Sequence, residues 1–416
     1  MKRHIMLLLL GVALVVSGCV RAPTPQFKDA TAVPLKTTWK LDLPEGVNAA
    51  DVDGVAILDG QQFRPVSVER AGSRLGLSPA FPYERGSQFT VRVFLKDGRR
   101  EDLPMPAEGY PTLVDGLSVE VPAAPAMGFY YPYFLYLPKE MPRGEKTRLL
   151  VEPNSTAISD DLLHHIERSR AQLTPKRLST TIAGELKLPV LVPVFPRVVH
   201  GPATHDLSRE TLLVPTGPLR RVDLQLLAMI EDARKILAHH GIETEEKVFM
   251  HGYADIGHFV NRFAILHPQV VRAVAAGAVD GVVTLPAASY QGRRLRFPVG
   301  IADLTDITGI RFDEIEYQRV AQFIHMGERD TNDRVQDPDV FAREDGGLIR
   351  ELIGAKMMPD RWARTQQLYK ELGVAAQFVT YLGMAHQPGP TEDLVAFFRA
   401  NDNDGPPAFI TATQQQ

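Results

Sequence analysis

Between Lys247 and His267 the chain reads Lys-Val-Phe-Met-His-Gly-Tyr-Ala-Asp-Ile-Gly-His-Phe-Val-Asn-Arg-Phe-Ala-Ile-Leu-His. Val248 to Met250 is a short apolar run of the kind a buried strand uses. A tight turn is expected over Gly252 to Gly257. An amphipathic helix follows, with Phe259, Val260, Phe263 and Leu266 on one side and a stop at His267-Pro268. Strand, sharp glycine turn and helix form the frame of a nucleophile elbow, in which a small-x-Nu-x-small pattern lifts a reactive side chain clear of the sheet. Aligned on Gly252, the reactive position falls on Ala254. Alanine has no atom that can attack.

Outward from this stretch, Tyr133–Leu137, Arg148–Val151, Val190–Phe195, Val270–Ala275, Gln322–His325 and Gln377–Tyr381 are further apolar strand candidates. Helices separate them. The clearest spans Val222 to Leu237, with Val222, Leu226, Ile230, Ala233 and Leu237 on one stripe and Gly241 as its stop. Such strands alternating with helices predict an α/β domain over 126–400, its mostly parallel sheet covered on both faces. Before it, 37–103 holds short alternating runs divided by turn residues such as Asp59-Gly60 and Asp97-Gly98, which predicts an all-β sandwich. Tyr83 and Phe89 read as its core. Residues 104–125, with five prolines, read as a linker, and the polar 401–416 as a disordered tail.

The N-terminus carries a basic head, Lys2-Arg3-His4, and an apolar core, Leu7 to Val16, short for a membrane span. Val16-Ser17-Gly18-Cys19 resembles the lipobox of bacterial lipoproteins. That resemblance implies a signal peptide over 1–18, cleavage before Cys19 and acylation of this residue, the only cysteine in the chain. Several acyl chains on one residue give stable anchoring. Val20, in place of an aspartate, points to the outer membrane, so the expected location is the bacterial cell envelope. Residues 19–36, Pro-rich and polar, would be the tether. With one cysteine, no intramolecular disulfide can form.

The net charge is −4, and losing Lys2 and Arg3 with the leader takes it to −6. A mildly acidic chain without a basic block argues against nucleic acid as a partner. The expected partners are the membrane, through Cys19, and a small molecule or another envelope component. No Gly-rich phosphate loop and no His-Glu-x-x-His occurs. His164-His165, His239-His240, His251 and His258 lack acidic or cysteine partners at ligand spacing, so neither cofactor nor metal is expected.

Residues 129–399 resemble an α/β-hydrolase, close to exported bacterial hydrolases with a Gly-Tyr-Ser-Ala-Ser-Gly elbow. The matching stretches are Val151-Glu-Pro-Asn-Ser-Thr156, Val194-Phe-Pro-Arg197, Gly252-Tyr-Ala-Asp-Ile-Gly257, Met326-Gly-Glu-Arg-Asp-Thr-Asn-Asp333 and Tyr381-Leu-Gly-Met-Ala-His386. The segment 37–103 resembles bacterial Ig-like domains, through Trp39, Asp53–Gly60 and Leu77–Val91. Such domains serve as spacers or adhesive modules.

A triad needs nucleophile, carboxylate and histidine in that chain order. The resemblance puts the acid at Asp330, with Asp333 as fallback, and the histidine at His386. It puts oxyanion donors at the amide of Asp255 and near Asn154-Ser155-Thr156, and makes Tyr253 a pocket wall. Arg197, His200, His205 and Asp206 fall in a loop on the expected ligand-binding rim. The implied function is a lipid-anchored pseudo-hydrolase that binds a ligand or envelope partner. Ile256, bulky where the turn wants a small residue, suggests a relaxed turn or a shift of one position. A shift would make Asp255 the attacking group, with His386 activating water, as in an ester or epoxide hydrolase. A mainly structural envelope protein is the third reading.

Overall fold

The structure is a computed structural model and describes residues 39–81, 88–106, 110–337 and 341–413. The leader, Cys19, the tether and Tyr83 lie outside these residues. Among the described residues no helix is long and apolar enough to cross a membrane.

Seven short strands make up residues 39–106: β1 (Trp39–Asp42), β2 (Val52–Asp59), β3 (Gln62–Arg64), β4 (Val66–Ala71), β5 (Arg74–Pro79), β6 (Gln88–Leu95) and β7 (Arg100–Pro106). They form two antiparallel sheets, ordered β1-β5-β4 and β3-β2-β6-β7. Alternation sends Trp39, Leu41, Leu75, Leu77, Phe89, Val91 and Val93 into one shared core. Phe89 sits at its centre, with its ring 5.3 Å from Trp39 and 5.7 Å from Phe81.

The larger sheet has eight strands: β8 (Ser118–Val121), β9 (Tyr133–Tyr136), β10 (Leu150–Val151), β11 (Val190–Pro193), β12 (Val248–Tyr253), β13 (Val271–Gly277), then β16 (Ala321–Gly327) and β17 (Ala376–Tyr381). A separate small hairpin, β14 (Ser289–Tyr290) with β15 (Arg293–Arg294), lies between β13 and β16 in the chain. The spatial order is β8-β9-β11-β10-β12-β13-β16-β17. Taken in chain order within this sheet, that is 1-2-4-3-5-6-7-8. β9 runs antiparallel to both neighbours, and the other pairings from β11 to β17 are parallel.

Both faces are covered, which is why these strands read as near-continuous apolar runs. Leu150, Phe249, Ala273, Ala275 and Phe323 enter one core cluster. Val151, Met250, Val274, Ala276 and Ile324 enter the other, against the helix Val222–His239 and the helix Asp255–Leu266.

Two expectations fail here. The expected linker 104–125 contains β8, an edge strand of the large sheet paired with β9 over Ser118–Val121. Four residues between prolines give too little periodicity to read as a strand. The expected disordered tail is docked, at least through Thr413. Asn401 is fully buried, and its side chain bonds Phe397 O and Ala408 O and accepts from Ala408 N. Ile410 exchanges two bonds with the side chain of Gln377, and Thr413 binds Asp393. The buried Arg148 pairs with Asp402 and Asp404. Tail residues here make hydrogen bonds and ion pairs with the domain, Asp402, Asp404 and Thr413 while still exposed.

Candidate active site

β12 ends at Tyr253 and a helix starts at Asp255, so the chain reverses on Ala254 alone. Ala254 takes φ 56° and ψ −123°. Left-handed φ in a residue with a side chain is strained, by on the order of 1–3 kcal/mol. The turn is therefore neither relaxed nor shifted: the strain sits at Ala254. The reason Ile256 fits is also visible. A Cβ on Gly252 would lie 2.3 Å from Ile256 O and 2.9 Å from its side chain, and one on Gly257 would lie 2.5 Å from Gly277 O. The close approaches fall on 252 and 257, and the missing side chain of Gly252 makes room for Ile256, which is itself buried in the core. Ala254→Gly should accordingly stabilise the domain by about 1 kcal/mol, the relieved strain less the entropy that glycine adds to the unfolded chain. Denaturant unfolding reads it, and a clear loss of stability would mean that no strain is stored there.

The acid and the histidine meet. Asp330 Oδ2 lies 2.8 Å from His386 Nδ1, and Asp330 Oδ1 accepts from the backbone amide of Asn332 at 3.1 Å. The Asp330 side chain is fully buried, whereas that of His386 is one-third exposed. Their two loops are pressed together at Gly327, where a Cβ would lie 2.3 Å from Ala385 O. Arg329 N donates to Met384 O and Gly383 N to the Glu328 carboxylate, which fixes the same register. Asp333, the fallback acid, instead caps the following turn at Val335 N and pairs with the buried Arg361.

Tyr253 is a wall of this site. Its ring centroid is 5.1 Å from that of His386 and 6.4 Å from that of His325, and Gly277 leaves the space between Tyr253 and His325 open. Burial, then the charges of Asp330 and Asp280, push the phenol well above its ordinary pKa, so it stays protonated.

Asp255 is not at the tip. It opens the helix, and both of its oxygens are held by arginines, Oδ2 by Arg197 at 2.7 Å and Oδ1 by Arg334. These two ion pairs join three segments, the elbow, the loop after β11 and the acid loop. Arg334 was not among the sequence candidates. The signal available was a carboxylate in the first turn of a helix, with no hint of which cation answers it.

The Asn154 side chain is buried. Its buried amide bridges two strand ends, donating to Phe195 O and accepting from Phe195 N, each at 2.9 Å. Ser155 is exposed in the loop after β10. His205 and Asp206, read as rim residues, are buried. A second acid–histidine pair, also missed, lies inside the sheet: His251 Nδ1 is 2.8 Å from Glu152 Oε2. Burial would raise the Glu152 pKa, but His251 and the donors Ser179 and Gln172 outweigh it and hold it below its ordinary value. Among the described residues no three His, Cys, Asp or Glu side chains are placed to hold a metal ion.

The sheet order, the antiparallel second strand, the elbow after the fifth and the acid and histidine after the seventh and eighth agree. The large domain has the α/β-hydrolase fold. No protein-family model matches the sequence, and no curated protein matches it either. Solved structures to which this chain is similar include poly(aspartic acid) hydrolase-1 from Sphingomonas sp. KT-1, at 16% identity and TM-score 0.44 over 66% of this chain and 95% of that one. A poly(3-hydroxybutyrate) depolymerase from Bordetella parapertussis follows at 19% identity and TM-score 0.41, over 65% and 83%. An S-formylglutathione hydrolase from Agrobacterium tumefaciens has 12% identity and TM-score 0.35, over 67% and 90%.

Proposed function

We propose that the large domain is a pseudo-hydrolase: a hydrolase fold without its nucleophile, which binds a ligand or a partner in the cleft over His386 and does not form a covalent intermediate. The observation that carries this reading is Ala254, in the strained elbow conformation, beside the hydrogen-bonded Asp330–His386 pair. The proton acceptor and its orienting carboxylate are present, and the group they would activate is absent. Asp255 does not supply it, since two guanidiniums hold both of its oxygens and lower their nucleophilicity. Incubation of the purified chain with aryl esters, an epoxide and a fluorophosphonate probe tests the reading. Neither turnover nor a covalent adduct is expected, and an adduct anywhere in the elbow would sink it.

We propose that the protein acts in the bacterial cell envelope, a reading that rests on the lipobox-like Val16-Ser17-Gly18-Cys19; acylation of Cys19 would hold the protein to a membrane, with the outer membrane favoured by Val20. Cys19→Ser should move the protein from the membrane fraction to the soluble one, and an unchanged distribution would remove the anchor. The sandwich, in this proposal, is an Ig-like spacer that carries no chemistry.

A further inference from the structure

On the elbow helix and the loop Thr204–Asp206, five buried side-chain atoms have no hydrogen-bond partner within the protein: Asp206 Oδ1 and Oδ2, Arg262 Nε and Nη2, and His258 Nδ1. They belong to one neighbourhood. His258 and Arg262 are one turn apart on the helix Asp255–Leu266, so they share a face. Arg262 Nη1 donates to the backbone oxygen of Asp206 at 2.7 Å, yet lies 3.6 Å from Asp206 Oδ1, too far for a hydrogen bond. His258 uses its other nitrogen, Nε2, on Asp280 at 3.1 Å. The Phe341 ring covers the group, 5.7 Å from the Arg262 guanidinium and 6.4 Å from the His258 ring, and has room because position 281 is glycine.

A carboxylate and a guanidinium this close, both out of reach of solvent, do not stay unpaired across a gap. The occupant must both donate and accept. A cation would meet Arg262, and an anion would meet Asp206. We propose that Asp206, Arg262 and His258 enclose ordered water, a permanent internal hydration site that ties the elbow helix to the loop Thr204–Asp206. A water can donate to both Asp206 oxygens and accept from Arg262 Nε–H and Nη2–H, which satisfies four of the five atoms and leaves only His258 Nδ1. This inference stands apart from the pseudo-hydrolase reading and does not depend on it.

A high-resolution crystal structure of the full chain tests it. At least one water peak within hydrogen-bond reach of both Asp206 and Arg262 is expected, and xenon applied under pressure should not enter. A direct two-point contact between Asp206 and Arg262 with no water, or xenon density at the site, overturns the proposal. In an Asp206→Leu/Arg262→Met double variant the water should be gone. Should that variant not fold, the native crystal still decides.

Discussion

Ala254→Ser is expected to turn an inert chain into an esterase whose activity requires His386. The substitution adds one oxygen to a Cβ that already sits at the tip of the elbow. It adds no backbone cost, because alanine and serine share the same penalty at φ 56°. The acceptor is in place, since Asp330 fixes His386 through Nδ1 at 2.8 Å and leaves Nε2 for the new hydroxyl. The Asp255 amide, at the start of the elbow helix, is the oxyanion donor expected from the hydrolase resemblance, and its side chain is tethered by Arg197 and Arg334. A positioned proton acceptor contributes roughly 10²- to 10⁴-fold, so a gain of that order over the native chain is expected on activated esters. His386→Ala in the Ala254→Ser background should remove it. If Ala254→Ser stays inert, the elbow and the histidine are not in working register. If the native chain turns over and Asp255→Asn stops it, the pseudo-hydrolase reading is wrong.

Much of this site is legible in the sequence because strand, turn and chain order are local signals. Val248–Met250 and its neighbours announce themselves as apolar runs, and the resemblance to α/β-hydrolases assigns Asp330 and His386 by their places after the last two strands. What stays hidden depends on partners distant in sequence. Nothing near Asp255 names Arg334, 79 positions away, and nothing near Asn401 reveals that its amide will be buried. Ile256 misleads for a related reason. The rule that a small residue must follow the tip is a rule about Cβ contacts, and here those contacts fall on Gly252 and Gly257. The tail misleads because polarity reads as solvation, whereas Thr413, Ile410 and Asn401 complete hydrogen bonds of the domain.

Histidine burial sets the second large expectation, a steep loss of stability in mild acid. His205 and His325 are both buried, and burial pushes each down from 6.5 to about 3; Arg197 and His165 add to the effect at His205, and His251 adds to it at His325. The folded chain therefore resists protons that the unfolded chain accepts. The stability from these two residues is fully present above about pH 6.5 and is lost as pH falls from there toward 3. Each unit of pH in that window costs about 1.4 kcal/mol per histidine, so the pair costs on the order of 4 kcal/mol by about pH 5. That is a large share of a stability of roughly 5–15 kcal/mol. Glu152 and Asp223, whose pKa values are depressed, add losses only as pH falls through the ordinary carboxylate range. Asp206 and Asp345, raised by burial, run the other way and soften the slope. A difference between variants isolates the histidines. His325 Nε2 has no hydrogen-bond partner, and its ring packs among Phe323, Tyr253 and Tyr381 at centroid distances of 5.4, 6.4 and 5.8 Å. His325→Phe keeps that packing, deletes the unpaired nitrogen and should remove about half of the slope between pH 6.5 and 4.5. Urea unfolding of the native chain and the variant across that range measures it. Parallel curves would mean that His325 takes up a proton in the folded state as readily as in the unfolded one.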